Sequence, residues 1–208
     1  SHWTDAIEHA IYCSVGADAD REIKTLRGMV GSVIEMTPST PTPIEIEYRH
    51  SERLGVDRIA AAVGAYAVFP QEWLLVVDAG TAVTYDVVTP DGKFIGGNIA
   101  PGIDMRLRSL HSFTARLPEL EAPKDMAPEG GKFGHSTADA MINGAVYGVA
   151  AEIEYYRNAL PETARVVLTG GSAHTVGRLA SYPVTIDDNL VTNGLNNILR
   201  YNEINVDK

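Results

Sequence analysis

Residues 73–84 read Trp-Leu-Leu-Val-Val-Asp-Ala-Gly-Thr-Ala-Val-Thr, and they decide the fold because they join two strands through a glycine turn. The apolar, β-branched run at 74–77 predicts a strand that is buried on both faces. After the turn, a second strand continues to Val88, ahead of the Pro-Asp-Gly turn at 90–92. The glycine therefore lies between antiparallel strands, in a hairpin.

The hairpin carries residue types that suit a bound phosphate. Gly80 lets the backbone come close to an anion, and the neighbouring N–H groups and the Thr81 hydroxyl can donate to phosphate oxygens. Asp78 can hold a cation beside them. This is not a Walker loop, which opens a helix and carries Gly-Lys-Ser/Thr. A plain hairpin, in which Asp and Gly only form the turn, remains the alternative.

Composition narrows the class of protein. The 208 residues, 45% of them hydrophobic, are enough for one buried core or two small ones. A net charge of −10 without a basic cluster argues against a nucleic-acid surface. One cysteine, Cys13, excludes an internal disulfide, and the scattered histidines give no zinc motif. No run is long enough to cross a bilayer and no signal peptide is evident, so we expect a cytoplasmic protein that does not associate with membranes.

The rest of the chain predicts an α/β protein with a mixed sheet, because a hairpin is antiparallel whereas strand–helix–strand units are parallel. A third strand at 93–95 is expected to end at Gly-Gly-Asn, and residues 37–43 form an extended connector. A Rossmann fold is disfavoured because neither glycine-rich site has its spacing. The expected strands are 10–15, 33–36, 74–78, 83–88, 93–95, 165–168 and 184–186, and the expected helices are 18–29, 57–67, 101–110, 137–159, 172–181 and 190–200.

Two further sites could join the hairpin. Asp57 and Arg58 lie at the N-terminus of a predicted helix, and Gly170-Gly171 could let a flat purine lie against the backbone. Together the three sites suggest a nucleotide-dependent phosphotransferase, with Asp57 as the base that takes the acceptor's proton and Arg58 holding acceptor oxygens. Each site also has a structural alternative. Asp57 could be only a favourable first-turn acid of the helix, with Arg58 at the surface, and Gly170-Gly171 could be only a tight strand-to-helix turn.

At this point the chain resembles the type III pantothenate kinases, which belong to the actin, Hsp70 and hexokinase-like superfamily. The resemblance extends over most of the chain, and the order and spacing of its motifs make it specific. In chain order the motifs are Tyr48, residues 55–58 (Gly-Val-Asp-Arg), residues 78–84 with Asp86, residues 96–102, residues 114–118 (Thr-Ala-Arg-Leu-Pro), Ser136-Thr137, Met141 with Gly144 and Gly148, residues 168–171 (Leu-Thr-Gly-Gly), and residues 190–195.

The resemblance implies ATP-dependent phosphorylation of pantothenate to 4'-phosphopantothenate, the first step of coenzyme A biosynthesis. It implies a ribonuclease H-like fold with two pseudo-duplicated subdomains, an incomplete first one at 1–47 and a second at 48–208. Mg²⁺ would accompany the nucleotide, and a homodimer would place the acceptor site near its interface. The implied roles are Asp57 as catalytic base; Tyr48, Gly55, Val56, Arg58 and Thr137 at pantothenate; Gly80, Thr81, Gly170 and Gly171 at ATP; and Asp78 as ligand of K⁺ or NH₄⁺.

One departure from the family bears on activity. The family opens with a strand and an Asp-x-Gly-Asn-Thr/Ser hairpin, its first phosphate loop, and nothing in residues 1–50 matches it. We expect this segment to be missing, with a degenerate natural copy as the alternative, and Ser1-His2 as a possible tag remnant. Two competing functions remain open: a non-catalytic relative of the Bvg accessory factor type that acts as a regulator, and another sugar or acid kinase of the superfamily. Residues 119–132 are expected to form a surface loop, or alternatively a lid.

Overall fold

The computed structural model describes residues 7–14, 20–122 and 131–206. Three sequence-based expectations fall wholly or partly outside them: the tag remnant, the N-terminal end of the helix expected at 18–29 and the central part of the 119–132 loop. The first described unit is small. Strands β1 (His9–Tyr12) and β2 (Ser32–Glu35) pair in parallel, and helix α1 (Asp20–Arg27) connects them.

A six-stranded mixed sheet forms the centre of the molecule. Its strands are β3 (Glu45–Ile46), β4 (Leu74–Ala79), β5 (Ala82–Val88), β6 (Lys93–Pro101), β7 (Arg165–Thr169) and β8 (Val184–Ile186), in the spatial order β3-β6-β5-β4-β7-β8. Strands β4, β5 and β6 are antiparallel neighbours, whereas β4, β7 and β8 are parallel. The predicted mixed sheet is confirmed, and the turn after β4 is the predicted hairpin.

Helices cover both faces of this sheet. Helices α2 (Val56–Val68) and α6 (Leu190–Val206) cover one face, where Val76, Phe94 and Val167 belong to the core. Helices α3 (Ile103–Phe113), α4 (Thr137–Asn158) and α5 (Ala173–Gly177) cover the other face, over Leu75, Val77 and Leu168. Successive residues of β4 thus enter opposite cores, which is why residues 74–77 are uniformly apolar.

Some predicted boundaries were wrong. The third strand does not end at 95 but continues as β6 through Gly96-Gly97 to Pro101, with a register shift opposite Val87 and Val88. Helix α5 ends at Gly177 rather than at 181, whereas α6 runs past 200 to Val206. Glycine signals a break in a local pattern, but pairing along the whole length of β5 overrides that signal.

The division of the chain near residue 47 stays a prediction. Strand β3 lies just before that position and yet pairs in parallel with β6 in the larger sheet. Met36 and Ile44 are also buried in the core that contains α2 and α6. The connector at 37–43 is hydrogen bonded to α6, because the Asn202 side chain donates to the Pro41 carbonyl at 2.9 Å.

Candidate active site

The β4–β5 hairpin presents an exposed Thr81 next to a closed turn. The Gly80 N–H donates to the Ala82 carbonyl at 3.0 Å, so this amide closes the turn and is not a free donor for phosphate. A Cβ placed on Gly80 would have no neighbour closer than 3.5 Å, the distance to Asp78 Oδ1. The protein itself therefore has room for a side chain at position 80, and glycine there keeps the outer side of the turn open.

The predicted Gly170-Gly171 turn lies directly against the hairpin. Gly170 follows β7 with φ +90°, and the Ser172 N–H donates to the Ala79 carbonyl at 2.9 Å. A Cβ on Gly170 would lie 2.4 Å from Asp78 Oδ1, too close for any side chain. Because β4 and β7 are parallel neighbours, their carboxyl ends bring the two glycine sites together, as ligand sites in α/β sheets commonly require.

A cleft of about 940 Å³ opens over these two turns. Gly80, Thr81 and Gly171 line it, so the structure brings together three of the residues predicted to contact ATP. Its volume lies within the range of pockets that bind cofactors. The remaining lining residues are Ala79, Asp104, Arg108, Glu119, Leu120, Glu121, Ala122 and Ser172.

Arg108 and Ser172 were missed from the sequence. Ser172 directly follows the two glycines, so its position was a usable signal. Arg108 carried none, because only the packing of α3 on the sheet decides which of its side chains face the cleft. The Arg108 guanidinium is a cation near the Thr81 hairpin, and it can offset the charge of a bound polyphosphate.

Asp57 lies in the first turn of α2, as predicted, and its Oδ1 accepts from the Arg58 N–H at 2.9 Å. Besides burial, the Asp57 charge contributes to the raised pKa of three other groups, which are Asp78, Cys13 and Asp86. Burial, and then the Asp57 charge, raise the pKa of the Asp78 carboxyl, and the same two causes raise the pKa of the Cys13 thiol. Asp57 is therefore near the end of β4 and near the residue that follows β1.

Arg58 is not the surface arginine of the structural alternative. Its side chain is 7% exposed, and its Nε donates to both oxygens of Asp86, at 3.0 and 3.2 Å, while Nη2 donates to Oδ1. The Tyr48 and Phe94 rings each lie 5.8 Å from the guanidinium carbon. Burial alone would lower the pKa of Arg58, but its hydrogen bonds to Asp86 and the charge of that carboxylate raise it. The guanidinium is thus held by Asp86 and lies against the Tyr48 and Phe94 rings.

Asp86, which is 1% exposed, completes this pair on β5. The sequence placed it only among the motifs of resemblance. Gly97 on β6 makes room for the pair, because a Cβ there would lie 2.2 Å from Asp86 Oδ1 and 2.9 Å from Arg58 Nη2. Gly96-Gly97 suggested the end of a strand, but both residues lie within β6, and the missing side chain of Gly97 leaves space for the buried ion pair.

Thr137 is the first residue of α4, and the cap of this helix is Ser136, whose Oγ accepts from the Asp139 N–H at 3.1 Å. The Thr137 hydroxyl is therefore not needed for capping, and its side chain is exposed. Thr137, Tyr48 and Asp57 all lie outside the lining of the cleft. The lining of this cleft therefore contains residues predicted for ATP and none of these three residues predicted for pantothenate.

The Asp78 carboxylate could contribute one ligand to a cation that takes few protein ligands. In the described ranges no group of three or more His, Cys, Asp or Glu side chains could hold a metal ion. Mg²⁺ in kinases commonly binds one or two carboxylates together with water and substrate phosphates. A cation here would also lower the raised pKa of Asp78, because it favours the ionised carboxylate.

Among the helices of the described ranges, none is long and apolar enough to span a membrane.

The fold and the site together define an α/β protein in which a mixed sheet, covered by helices on both faces, carries two glycine turns at the ends of neighbouring strands. A crystal structure titled as a conserved putative Baf family transcriptional activator from Campylobacter jejuni has the same fold, with a TM-score of 0.67 and 24% identity, over 95% of this chain and 84% of that one.

The sequence comparisons give the family. The sequence model of the type III pantothenate kinases matches residues 2–159. A type III pantothenate kinase of Porphyromonas gingivalis is 39% identical over 198 residues, which are 94% of this chain and 80% of the relative. One from Bacteroides fragilis is 41% identical over 174 residues, 82% of this chain and 70% of the relative. The chain belongs to the type III pantothenate kinase family.

Proposed function

We propose that this protein transfers the γ-phosphoryl group of ATP to the primary hydroxyl of pantothenate, giving 4'-phosphopantothenate, the first intermediate of coenzyme A biosynthesis. The observation that carries the proposal is the meeting of two glycine turns in one cleft, which Gly80 and Gly171 line, with Asp57 close enough to the end of β4 for its charge to act on Asp78. Membership of the type III pantothenate kinase family supports the choice of acceptor.

Asp57 is the proposed catalytic base. It is half-buried at the start of α2, and phosphoryl transfer needs a carboxylate that takes the proton of the acceptor hydroxyl. Tyr48, Gly55, Val56, Arg58 and Thr137 are the proposed pantothenate-binding residues. Because the Arg58 guanidinium is held by Asp86, its proposed contribution is to support the Tyr48 ring, whose centre lies 5.8 Å from the guanidinium carbon, in the acceptor site.

ATP is proposed to bind across the hairpin and the glycine turn. Gly80 and Thr81 would contact its phosphates, and Gly170 and Gly171 would face its nucleoside. Mg²⁺ would accompany the phosphates and neutralise their charge, which matters in a protein with a net charge of −10. Asp78 would hold a monovalent cation, K⁺ or NH₄⁺. Its raised pKa supports this role, because a cation would stabilise the ionised form.

The proposal includes a cytoplasmic homodimer with the acceptor site near the subunit interface. Support comes from the exposed Thr137 at the N-terminus of α4, outside the nucleotide cleft of its own chain. A partner subunit could bring this side chain toward pantothenate. Sedimentation of the purified protein together with substrate-dependent stabilisation would test the dimer separately from catalysis.

The test is a coupled assay of ADP release with pantothenate, Mg·ATP and KCl. The 208-residue chain is assayed beside a form that carries at its N-terminus the strand and Asp-x-Gly-Asn-Thr hairpin typical of the family. We expect pantothenate-dependent release by at least the extended form, and loss of at least about 10²-fold in kcat in Asp57→Asn, the usual contribution of a general base. Glu52→Gln, an exposed acid just before α2, is the matched control and should leave the rate unchanged.

The competing functions predict other results. Turnover of other sugars or acids, but not of pantothenate, would assign a different kinase activity to the site. Absence of any ADP release from both forms, with measurable DNA binding at physiological salt, would replace the proposal by a regulatory function. The acidic charge of the chain argues against direct DNA binding, since phosphate contacts need a basic surface.

A further inference from the structure

A hydrogen-bonded network behind the phosphate hairpin is not used by any role described so far. At its centre is Arg106 on α3. Its Nε donates to the Pro101 carbonyl at 2.8 Å, and its Nη2 donates to both carboxylate oxygens of Glu152 on α4, at 2.7 and 2.6 Å. Glu152 Oε2 also accepts from the Tyr85 hydroxyl at 2.6 Å. One guanidinium thus ties α3 to α4, and through Glu152 to β5.

The network is enclosed by its neighbours. Tyr85 is 1% exposed, and burial followed by the hydrogen bond to Glu152 raises its pKa, so its hydroxyl stays protonated and donates. Gly148 lets α4 pass close to the arginine, because a Cβ there would lie 2.9 Å from Arg106 Nη1. The Arg106 side chain is 20% exposed and that of Glu152 is 36% exposed, so water screens this pair only partly.

Pro101, which Arg106 holds, lies directly against the hairpin. It pairs with Ala82 at the start of β5, and the next residue, Gly102, donates its N–H to the Thr81 carbonyl at 2.9 Å. A Cβ on Gly102 would lie 2.2 Å from the Gly80 carbonyl oxygen, so the two backbones are in contact. The position of Pro101-Gly102 therefore sets the position of Gly80-Thr81.

We propose that Arg106 is a positioning residue for the nucleotide: through Pro101 and Gly102 it fixes the hairpin that receives the phosphates, without contacting ATP itself. The inference rests on the proposed function. Arginine is required because one guanidinium makes three contacts in fixed directions, on Pro101 and on both oxygens of Glu152, whereas a lysine ammonium cannot make them in one geometry.

The chain offers a matched control for this network. Arg165 forms a similar fork with Glu72, at 2.9 and 3.1 Å, with side chains that are 37% and 36% exposed. Arg165 pairs with Leu74, at the end of β4 opposite to the hairpin. Arg165→Lys therefore removes a comparable fork without touching the phosphate site.

The experiment compares Arg106→Lys, Glu152→Gln and Arg165→Lys in the full chain. We expect Arg106→Lys to raise both the KM for ATP and the dissociation constant of Mg·ADP about tenfold, as expected for one lost charge-assisted hydrogen bond, with the KM for pantothenate unchanged. Hydrogen exchange of the amides at 79–82 should accelerate. Glu152→Gln should act in the same direction, and Arg165→Lys should change only the Tm.

Calorimetric binding of Mg·ADP separates this inference from the proposed function, because it needs no pantothenate turnover. If nucleotide affinity and exchange at 79–82 in Arg106→Lys match those of Arg165→Lys, the positioning role is overturned. The role is also overturned if Arg106→Lys weakens pantothenate as much as the nucleotide. Tyr85→Phe, which removes only one hydroxyl, is the milder variant if Glu152→Gln folds poorly, and it should shift nucleotide affinity in the same direction.

Discussion

Replacing Asp86 by alanine removes one half of the buried ion pair and leaves the Arg58 guanidinium without its main partner. Arg58 is 7% exposed and Asp86 is 1% exposed, so water cannot take the place of the lost carboxylate. The guanidinium would remain between the Tyr48 and Phe94 rings, which attract a cation but accept no hydrogen bond in the plane of its N–H groups. We therefore expect a large loss of stability.

The magnitude follows from burial. Breaking a buried, hydrogen-bonded ion pair costs about 3–5 kcal/mol, which is a large part of the roughly 5–15 kcal/mol that stabilises a typical protein. For a chain of this length such a loss lowers the Tm by about 6–20 °C. A more exposed ion pair serves for comparison: Lys93 Nζ lies 2.8 Å from Glu47 Oε1, and the two side chains are 34% and 45% exposed. Glu47→Gln should lower the free energy of unfolding by at most about 1 kcal/mol.

The assay is urea denaturation followed by the fluorescence of the two tryptophans, Trp3 and Trp73, for the wild type, Asp86→Ala, Glu47→Gln and the double variant Arg58→Met/Asp86→Leu. The double variant should recover most of the lost stability, because it removes both charges and fills the space with apolar side chains. If Asp86→Ala costs no more than Glu47→Gln, the pair is not desolvated in solution. If the double variant is less stable than Asp86→Ala, the cost arises from packing and not from an unpaired charge.

Four further predictions concern three glycines and the proposed cation site. Gly80→Ala should change the free energy of unfolding by less than about 0.5 kcal/mol, because its Cβ has no neighbour within 3.4 Å, yet it should raise the KM for ATP at least about tenfold. Gly170→Ala should lower the free energy of unfolding in urea by about 1–3 kcal/mol, because Gly170 has a φ of +90°. Gly97→Ala should cost about 1–3 kcal/mol, because its Cβ would displace the Asp86 carboxylate, and a denaturation midpoint equal to wild type would contradict this. Asp78→Asn should abolish activity but raise the Tm at pH 7 without added cations. The pKa of Asp78 is raised in the folded state, so stability falls as pH rises past the unfolded value of 3.8, and the advantage of the variant should shrink in melts toward pH 4.

The candidate site was predictable wherever its signal is local. The apolar run before Asp78 required a buried strand, and the following glycine required a turn, so the hairpin could be located from twelve residues. The glycine pair at 170 and 171 and the helix start before Asp57 are local signals of the same kind. Because parallel strands bring their carboxyl ends to one edge, these signals could also be expected to meet.

The features that were missed depend on contacts between distant segments. Strand β3 has only two residues, Glu45–Ile46, and exists because β6 offers them a partner. Strand β6 passes through two glycines because β5 pairs with it over its whole length. Neither an edge pairing nor its length is encoded in the residues that form it, so propensity was overridden by tertiary structure.

By itself the sequence determined the order of the helices and of every strand except β3, the β4–β5 hairpin and the family resemblance, because hydrophobic periodicity and turn residues act over a few neighbouring positions. Only the tertiary structure decided which charges are buried and which face the cleft. The sequence left open whether Arg58 holds acceptor oxygens or is a surface residue, and the fold buries it against Asp86, 28 positions away, whereas Arg108 had no signal and lines the cleft. Burial and pairing of a charge depend on what the fold places around it, and that environment comes from segments far apart in the chain.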